Sequence, residues 1–391
     1  MSRPRSPVLG IITDTITAQR LAPGLFRALA EAWETRFLDV DRPVQELRAR
    51  AAEWRADVLV ARWLPGLVEE LRPLGPPLVL IGGHERAVGV CCLGVDNPQV
   101  GEQAAEHLLE RGYPHLAFVG KDAPYSHLRH EGFARALARR GRPPASSHIL
   151  PDEGRERYLE DWMPPDTSLL AWLAALPRPA GVFAAQDSIG RRVLQACARL
   201  GLRVPEDVAV VAANNDELAC GLARPGLSSV RIPWDGIGAE VARAAERLHA
   251  AGVTPEAPLQ AVRVAPAGVV ARGSSDAFLA PEPALAKALR HLHEHCGEAL
   301  DVDGLARAAG LSRRRMEELF QRAGRDTPKR EITRARMQRA RELLACTDLD
   351  LGRVAEACGY AYAARFSTAF REATGCTPSE FRRRRGALGA S

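Results

Sequence analysis

No apolar run in the 391 residues approaches the roughly 20 that crossing a bilayer requires. The opening segment, MSRPRSPVLGII, passes almost at once into a strand-like run without a long apolar leader. A cytoplasmic protein with no membrane partner is the expectation. Spaced cysteine pairs are missing too: Cys91, Cys92, Cys197, Cys220, Cys296, Cys346, Cys358 and Cys376 contain no C-x-x-C, and several sit in apolar helical patterns. That argues against zinc and disulfide frameworks and for free, mostly buried thiols in a reducing compartment. Aromatic residues are only 5% of a chain that is 46% hydrophobic, which suits alanine- and leucine-rich helices on strands. Catalytic signatures are absent as well. There is no G-x-S-x-G, G-x-G-x-x-G, phosphate-binding G-K-S/T or H-E-x-x-H, and His84 and His115 lack partners at a recognisable spacing. An enzyme is not expected, nor a metal or other cofactor.

What is present is too long for one core and fits two or three domains. Its charge is unevenly spread. From residue 281 onward there are 21 Lys and Arg against 15 Asp and Glu, whereas the remainder holds 32 against 33. The whole positive balance of +5 thus lies in the tail, as a phosphate-binding module requires.

That tail carries one pattern twice. Leu305 to Pro328 reads LARAAGLSRRRMEELFQRAGRDTP, and Val354 to Pro378 reads VAEACGYAYAARFSTAFREATGCTP. Gly310 answers Gly359, Phe320 answers Phe370, and Thr327-Pro328 answers Thr377-Pro378. Each copy is an amphipathic stretch, a turn glycine and a second amphipathic stretch, the form of a helix-turn-helix. Expected helices run from about Ala284 to His295, Val302 to Ala309 with an Asp301 or Asp303 cap, and onward from an Ser312 cap with Met316, Leu319 and Phe320 inward. A long helix from Thr327-Pro328, with Ile332, Ala335, Met337, Ala340, Leu343 and Leu344 as its apolar stripe, is expected to join the copies rigidly. Leu351 to Ala357 and about Tyr362 to Glu372 follow, with Phe366 and Phe370 in the core. Exposed candidates for double-stranded promoter DNA are then Ser312, Arg313, Arg314, Arg315, Tyr362, Ala363, Arg365 and Thr368. Arg313, Arg314 and Arg365 lead as base contacts because arginine bonds guanine bidentately, with a phosphate or carboxylate partner as the alternative for Arg365. Arg315, and Arg382 and Arg383 in the closing FRRRRG run, read rather as phosphate-facing.

Ahead of the tail, short apolar runs alternate with helical patterns. Strands are expected at Val8 to Ile12, Ala56 to Val60, Pro77 to Ile81, Val90 to Val95, His115 to Val119, Gly181 to Ala184 and Val208 to Ala212. Helices are expected at about Leu21 to Trp33, Leu67 to Leu71, Gln99 to Arg111, Glu131 to Ala138 and Ile189 to Leu200. Such alternation implies parallel sheet covered on both faces, with ligands beyond the carboxyl ends of the strands. Polar residues gather there: Asp14, Gly82-Gly83-His84, Asp96-Asn97, Arg129, Asp187 and Asn214 to Glu217. With Trp63 and Trp234 they suit a polyhydroxylated ligand, which needs many directed hydrogen bonds and offers C–H faces to a ring. Asp96 and Asp216 read as caps or turn residues.

Two resemblances add to this. Gly94 to Gly120, Leu128 to Leu137 and Ala184 to Leu248, with its VPEDVAVV phrase, resemble the effector domain of the lactose-repressor family over about residues 8–275. The resemblance implies a two-lobed, periplasmic-binding-protein-like α/β domain that closes on a sugar, with crossovers near Gly120, Ser228 to Pro233 and Val262 to Ala267. It makes Asp14, Arg129, Asp187 and the residue at 214 effector contacts, with Asn215 the alternative at that turn. Position 214 departs from the family, having asparagine where an aspartate is usual. The family's own N-terminal DNA-reading headpiece has no counterpart in the sequence. Thr333 to Tyr360 and Phe366 to Arg382 resemble the arabinose-regulator (AraC/XylS) DNA-binding domain over about 285–384, in which each unit places its second helix in one of two successive major grooves.

The expected architecture is therefore an effector and dimerisation domain at 1–275, a linker at 276–283, and an all-α double helix-turn-helix module at 284–391. That order resembles the xylose operon regulators, a family that implies a homodimer activating xylose or related pentose catabolic genes, D-xylose as the leading effector, and RNA polymerase as a partner. The alternatives are a different sugar, or a sensor that binds none and serves as a scaffold. An extracytoplasmic solute-binding protein does not fit the DNA-reading tail.

Overall fold

A computed structural model describes residues 5–82, 90–150, 167–252, 261–279, 282–347 and 349–386, excepting the side chains of 345, 346 and 383–386. Gly83 and His84 of the expected strand-end cluster lie outside the described residues. Along the chain run β1 (Val8–Ile12), α1 (Thr15–Ala28), β2 (Glu34–Leu38), α2 (Val44–Glu53), β3 (Val58–Arg62), α3 (Leu67–Leu71), β4 (Leu78–Ile81) and β5 (Val90–Val95). Then come α4 (Asn97–Glu110), β6 (His115–Lys121), α5 (Pro124–Arg139), β7 (Ser146–Leu150), α6 (Thr167–Ala175), β8 (Ala180–Ala184), α7 (Asp187–Arg199), β9 (Val208–Asn214) and α8 (Glu217–Leu222). The α/β part closes with β10 (Ser228–Arg231), α9 (Trp234–Ala251), β11 (Val262–Val264) and β12 (Val269–Val270). Seven helices follow: α10 (Pro283–His295), α11 (Val302–Ala309), α12 (Arg313–Arg322), α13 (Pro328–Cys346), α14 (Leu351–Ala357), α15 (Ala363–Thr374) and α16 (Pro378–Gly386).

Two six-stranded sheets result. The first has order β11-β5-β4-β3-β1-β2 and is parallel throughout; the second has order β12-β10-β9-β8-β6-β7 and is parallel except for β12. Within the α/β part the chain passes from one unit to the other at Asp96–Asn97, Ile232–Pro233 and Ala265–Pro266. The last two passages fall in the expected crossovers. The first does not: Gly120 lies inside β6, paired with Ile149, and the passage comes a strand and a helix earlier.

Several element boundaries are corrected, each for a local reason. Helix α1 starts at Thr15 rather than near Leu21, because Asp14 caps it by accepting from the Thr17 N–H. Its first turn is polar, so the apolar rhythm begins later than the helix. Helix α5 starts at Pro124, not near Glu131, with proline in the first turn where no N–H is needed. Arg129 is accordingly inside the helix rather than before it. Strands β2 and β7, at the sheet edges, are mostly exposed (ETRFL and SSHIL) and carry no apolar run.

The tail helices form two small cores. Leu285, Leu289, Leu292, Leu305, Met316, Leu319, Phe320 and Ile332 fill the first; Met337, Ala340, Leu344, Val354, Phe366 and Phe370 fill the second. Helix α13 contributes to both with its N- and C-terminal halves, over a length of about 28 Å at 1.5 Å per residue. Phe278, in the segment before α10, packs into the first core. The seven cysteines whose side chains are described are free and buried. Burial pushes the Cys197 and Cys358 thiols up to about 12 each, which leaves them protonated and unreactive at neutral pH.

One carboxyl in α13 makes stability pH-dependent. Glu342 accepts from the Gln338 amide at 3.1 Å and abuts Gly268, where a Cβ would lie 2.6 Å from the Glu342 Cγ. Burial raises its pKa to about 7 despite that hydrogen bond and the charges of Arg231 and Arg339. The folded state therefore holds this proton more tightly than the unfolded chain. Its contribution to stability is complete below the unfolded value and is lost as pH rises through about 7. Glu342→Gln is expected to raise the melting temperature at pH 8 and to leave it nearly unchanged at pH 5. An equal shift at both pH values would contradict this.

Candidate effector site and DNA-reading helices

In the second sheet the polar residues at the strand ends are joined by hydrogen bonds. Arg129, only 4% exposed, points from α5 to the neighbouring strand ends. Its Nε donates to Asn97 Oδ1 at 2.9 Å, its Nη2 to Asn214 Oδ1 at 3.1 Å, and its Nη1 to the Ala185 carbonyl. The guanidinium also lies 5.3 Å from the Tyr125 ring centroid. Asn214 and Asn215 turn the chain with φ of 113° and 52°, a left-handed excursion that asparagine tolerates better than most residues. The bond from Arg129 holds the Asn214 carbonyl oxygen, so the amide can present its N–H groups as donors.

Asp187 has no exposed surface. Its carboxylate accepts from the Ser229 hydroxyl at 2.5 Å and from the Asp216 N–H at 2.8 Å. Ser229 Oγ in turn accepts from the Asn215 N–H, and Arg272 donates to Asn215 Oδ1 at 2.9 Å. Asp187 thus fixes the turn that carries the two asparagines. Asp216 caps α8 through the Ala219 N–H, the structural role its position suggests.

In the first sheet Asp14 caps α1 and accepts from Arg62 Nη1 at 2.7 Å. Burial opposes its charge, but Arg62 and the Thr17 bonds together hold its carboxyl below the ordinary range. Arg62 ends β3, a strand-end position of the kind already singled out, yet its basic side chain closing an apolar run gave no signal. Trp63 packs against the core beneath this sheet, and Trp234 has Arg20 5.5 Å from its ring centroid. Asn97 was among the strand-end residues without standing out; Ser229 and Arg272 were missed, because a serine in a buried strand carries no periodic signal.

The two reading units share one construction. Asp301 and Asp350 cap α11 and α14, and Gly310 and Gly359 take φ of 74° and 72° at the turns. A side chain at Gly359 would also lie 2.3 Å from the Glu298 carbonyl oxygen. Ser312 caps α12 through the Arg315 N–H at 3.3 Å. Arg314 is 91% exposed and bonded to Glu318 at 3.0 Å; Arg313 pairs with Glu317 at 3.1 Å and Asp303 at 3.5 Å. Arg315 reaches Glu282 and Glu318 at 3.7 and 3.6 Å. In the second unit Tyr362, 69% exposed, precedes α15, while Ala363, Arg365 and Thr368 are also exposed. The Thr368 hydroxyl donates to the Ala364 carbonyl. Arg382 is half-buried, with Nε and Nη2 out of solvent and no partner among the described residues, and the Arg383 side chain lies outside them. On α13, Arg336 donates to the carbonyls of Cys296, Glu298 and Leu300, so it ties the connector to the first core.

Two ligand-type α/β sheets followed by paired helix-turn-helices joined by one helix define a sensor-coupled, DNA-binding transcriptional regulator. Comparison with known proteins agrees. A periplasmic binding protein-like domain matches residues 105–275 and a helix-turn-helix domain matches 305–384. The xylose operon regulatory protein of Escherichia coli K12 is 30% identical over 347 residues, covering 86% of this chain and 87% of that protein. Its counterpart from Haemophilus influenzae is 27% identical, covering 81% and 82%. The solved structure of the xylose-binding transcription activator XylR superposes with a TM-score of 0.57 at 26% identity, covering 97% of this chain and 99% of that one. The chain belongs to the xylose operon regulator family: it is a sugar-responsive transcriptional regulator and not an enzyme.

Proposed function

We propose that the chain activates xylose or related pentose catabolic genes in response to D-xylose, acting in the cytoplasm as a homodimer on promoter DNA and through RNA polymerase. The observation that carries this reading is likeness to the xylose operon regulators through both modules, over 86% of the chain. The effector and dimerisation domain spans 1–275 and the DNA module 284–391, with a junction at 276–283 that Phe278 anchors. Arg129, Asn214, Asn215 and Asp14 contact the sugar, and Asp187 contacts it or holds the turn that does. A thermal-shift screen against pentoses, hexoses and their alcohols tests the effector, since a ligand that binds only the folded state must stabilise it. An upward shift with D-xylose supports the reading, and a shift with another sugar alone replaces the effector. Asn214 favours that second outcome, because a neutral amide lacks the strong paired bonds of a carboxylate to vicinal hydroxyls.

On DNA, Arg313, Arg314 and Arg365 read bases, while Ser312, Arg315, Tyr362, Ala363, Thr368, Arg382 and Arg383 line the contact or meet phosphate. Exposed pairs such as Arg313–Glu317 are screened by solvent and weak, so DNA can displace the carboxylate. Arg365→Ala and Arg313→Ala are each expected to cost about 1–3 kcal/mol on the specific site and to relax its preference at one position. Equal losses on specific and random duplex would reassign either residue to phosphate.

A further inference from the structure

Helix α4 touches the candidate effector site at one end and the first reading unit at the other. At its start, Asn97 accepts from Arg129. Next to it α4 and α5 are locked at backbone contact: a Cβ at Gly101 would lie 1.9 Å from the Arg129 carbonyl oxygen, and one at Gly132 1.8 Å from that of Pro98. No side chain lies between the two helices there to absorb a shift of Arg129 relative to α4.

At its far end, about 20 Å away for 14 residues, Glu110 meets the module twice. Its carbonyl accepts from Arg325 Nη1 at 3.0 Å, and its carboxylate pairs with Arg334 Nε at 3.3 Å. Arg325 lies just beyond α12, with its N–H bonded to the Phe320 carbonyl, so it is attached directly to the first reading helix. The buried Glu331 joins both arginines. Beside this cluster the Arg111 guanidinium donates to the Ser275 carbonyl at 2.7 Å and covers the Phe278 ring at 5.1 Å, while its own carbonyl accepts from Leu279. Gly112 completes the seam: a Cβ there would lie 2.2 Å from the Leu279 carbonyl oxygen.

We propose that α4 is the lever between effector and DNA, and that Glu110, Arg325 and Arg334 form the coupling surface through which it positions the first reading helix. The proposal rests on the reading of Arg129 and Asn214 as the effector site. Coupling between two sites is reciprocal, so it is measurable from either side. Full-length protein, Glu110→Arg and the charge swap Glu110→Arg/Arg334→Glu are titrated with D-xylose, free and bound to promoter DNA. In the parent, DNA is expected to change xylose affinity by roughly 5–150-fold. In Glu110→Arg that factor falls to about one while xylose affinity of the DNA-free protein changes less than about threefold; the swap restores most of it. An undiminished factor in Glu110→Arg, or no recovery in the swap, overturns the proposal. Hydrogen exchange separates the two readings if no sugar binds. Promoter DNA is expected to slow exchange of the α4 amides in the parent and not in Glu110→Arg, and an α4 indifferent to DNA overturns the lever whatever the effector is.

Discussion

Arg129→Ala is expected to weaken sugar binding at least about 100-fold, equivalent to about 2.7 kcal/mol. The side chain donates to Asn97, Asn214 and the Ala185 carbonyl from a site with almost no access to water. A hydrogen bond to a charged group contributes about 1.5–3 kcal/mol, and each buried acceptor left alone costs about 1–3 kcal/mol. Those bonds are made without sugar and their loss falls on the fold; the loss in binding comes from the charged bonds that Arg129 is proposed to give the sugar hydroxyls, and two of these account for the stated factor. The turn at Asn214 and Asn215 also loses the bond that sets the Asn214 amide. Arg129→Lys keeps the charge but not the planar fork, so it should recover only a minor part. Binding of promoter DNA without sugar should persist, because neither reading unit uses Arg129. Calorimetric titration of the sugar checks this, and a loss under threefold would remove Arg129 from the effector site.

The second large effect is expected at the other end of the chain. Phe366 has no exposed surface and packs at ring-centroid distances of 5.8 Å on Tyr360 and 5.7 Å on Phe370, which meets Phe381 at 5.4 Å. Phenylalanine-to-alanine changes in cores cost about 3–5 kcal/mol. The second core is small, so little remains to hold α14 against α15 after that loss. Specific DNA binding should fall more than about 100-fold while sugar binding in the α/β part is unchanged, since the aromatic cluster belongs wholly to the tail. Separate melting transitions for tail and sensor are the accompanying sign. Retention of specific DNA affinity would mean that the first unit alone reads the site.

The sequence was most legible where a pattern repeats. The helix-turn-helix glycines, the Asp301 and Ser312 caps and the inward Phe320, Phe366 and Phe370 all follow from spacing, because each unit must bury one stripe and turn at a fixed place. Central strands such as Val208–Asn214 were equally plain, being apolar on both faces. The edge strands β2 and β7 were not, since a half-solvated strand needs no apolar run. Helix α5 was read short because its first turn contains Tyr125, Ser126 and His127, and that displaced Arg129 from the helix that aims it. The partners that tune the candidate site, Asn97, Ser229, Arg272 and Arg62, come from separate segments. Long-range pairing of polar residues has no periodicity, and only the folded sheets bring them together.

That sugar and DNA act on one regulator is measured by the anisotropy of labelled promoter DNA titrated with the full-length protein, with and without saturating D-xylose. Xylose is expected to tighten specific binding while leaving the affinity for random duplex nearly unchanged. Identical specific affinities with and without xylose, under conditions where calorimetry shows the sugar bound, would contradict it.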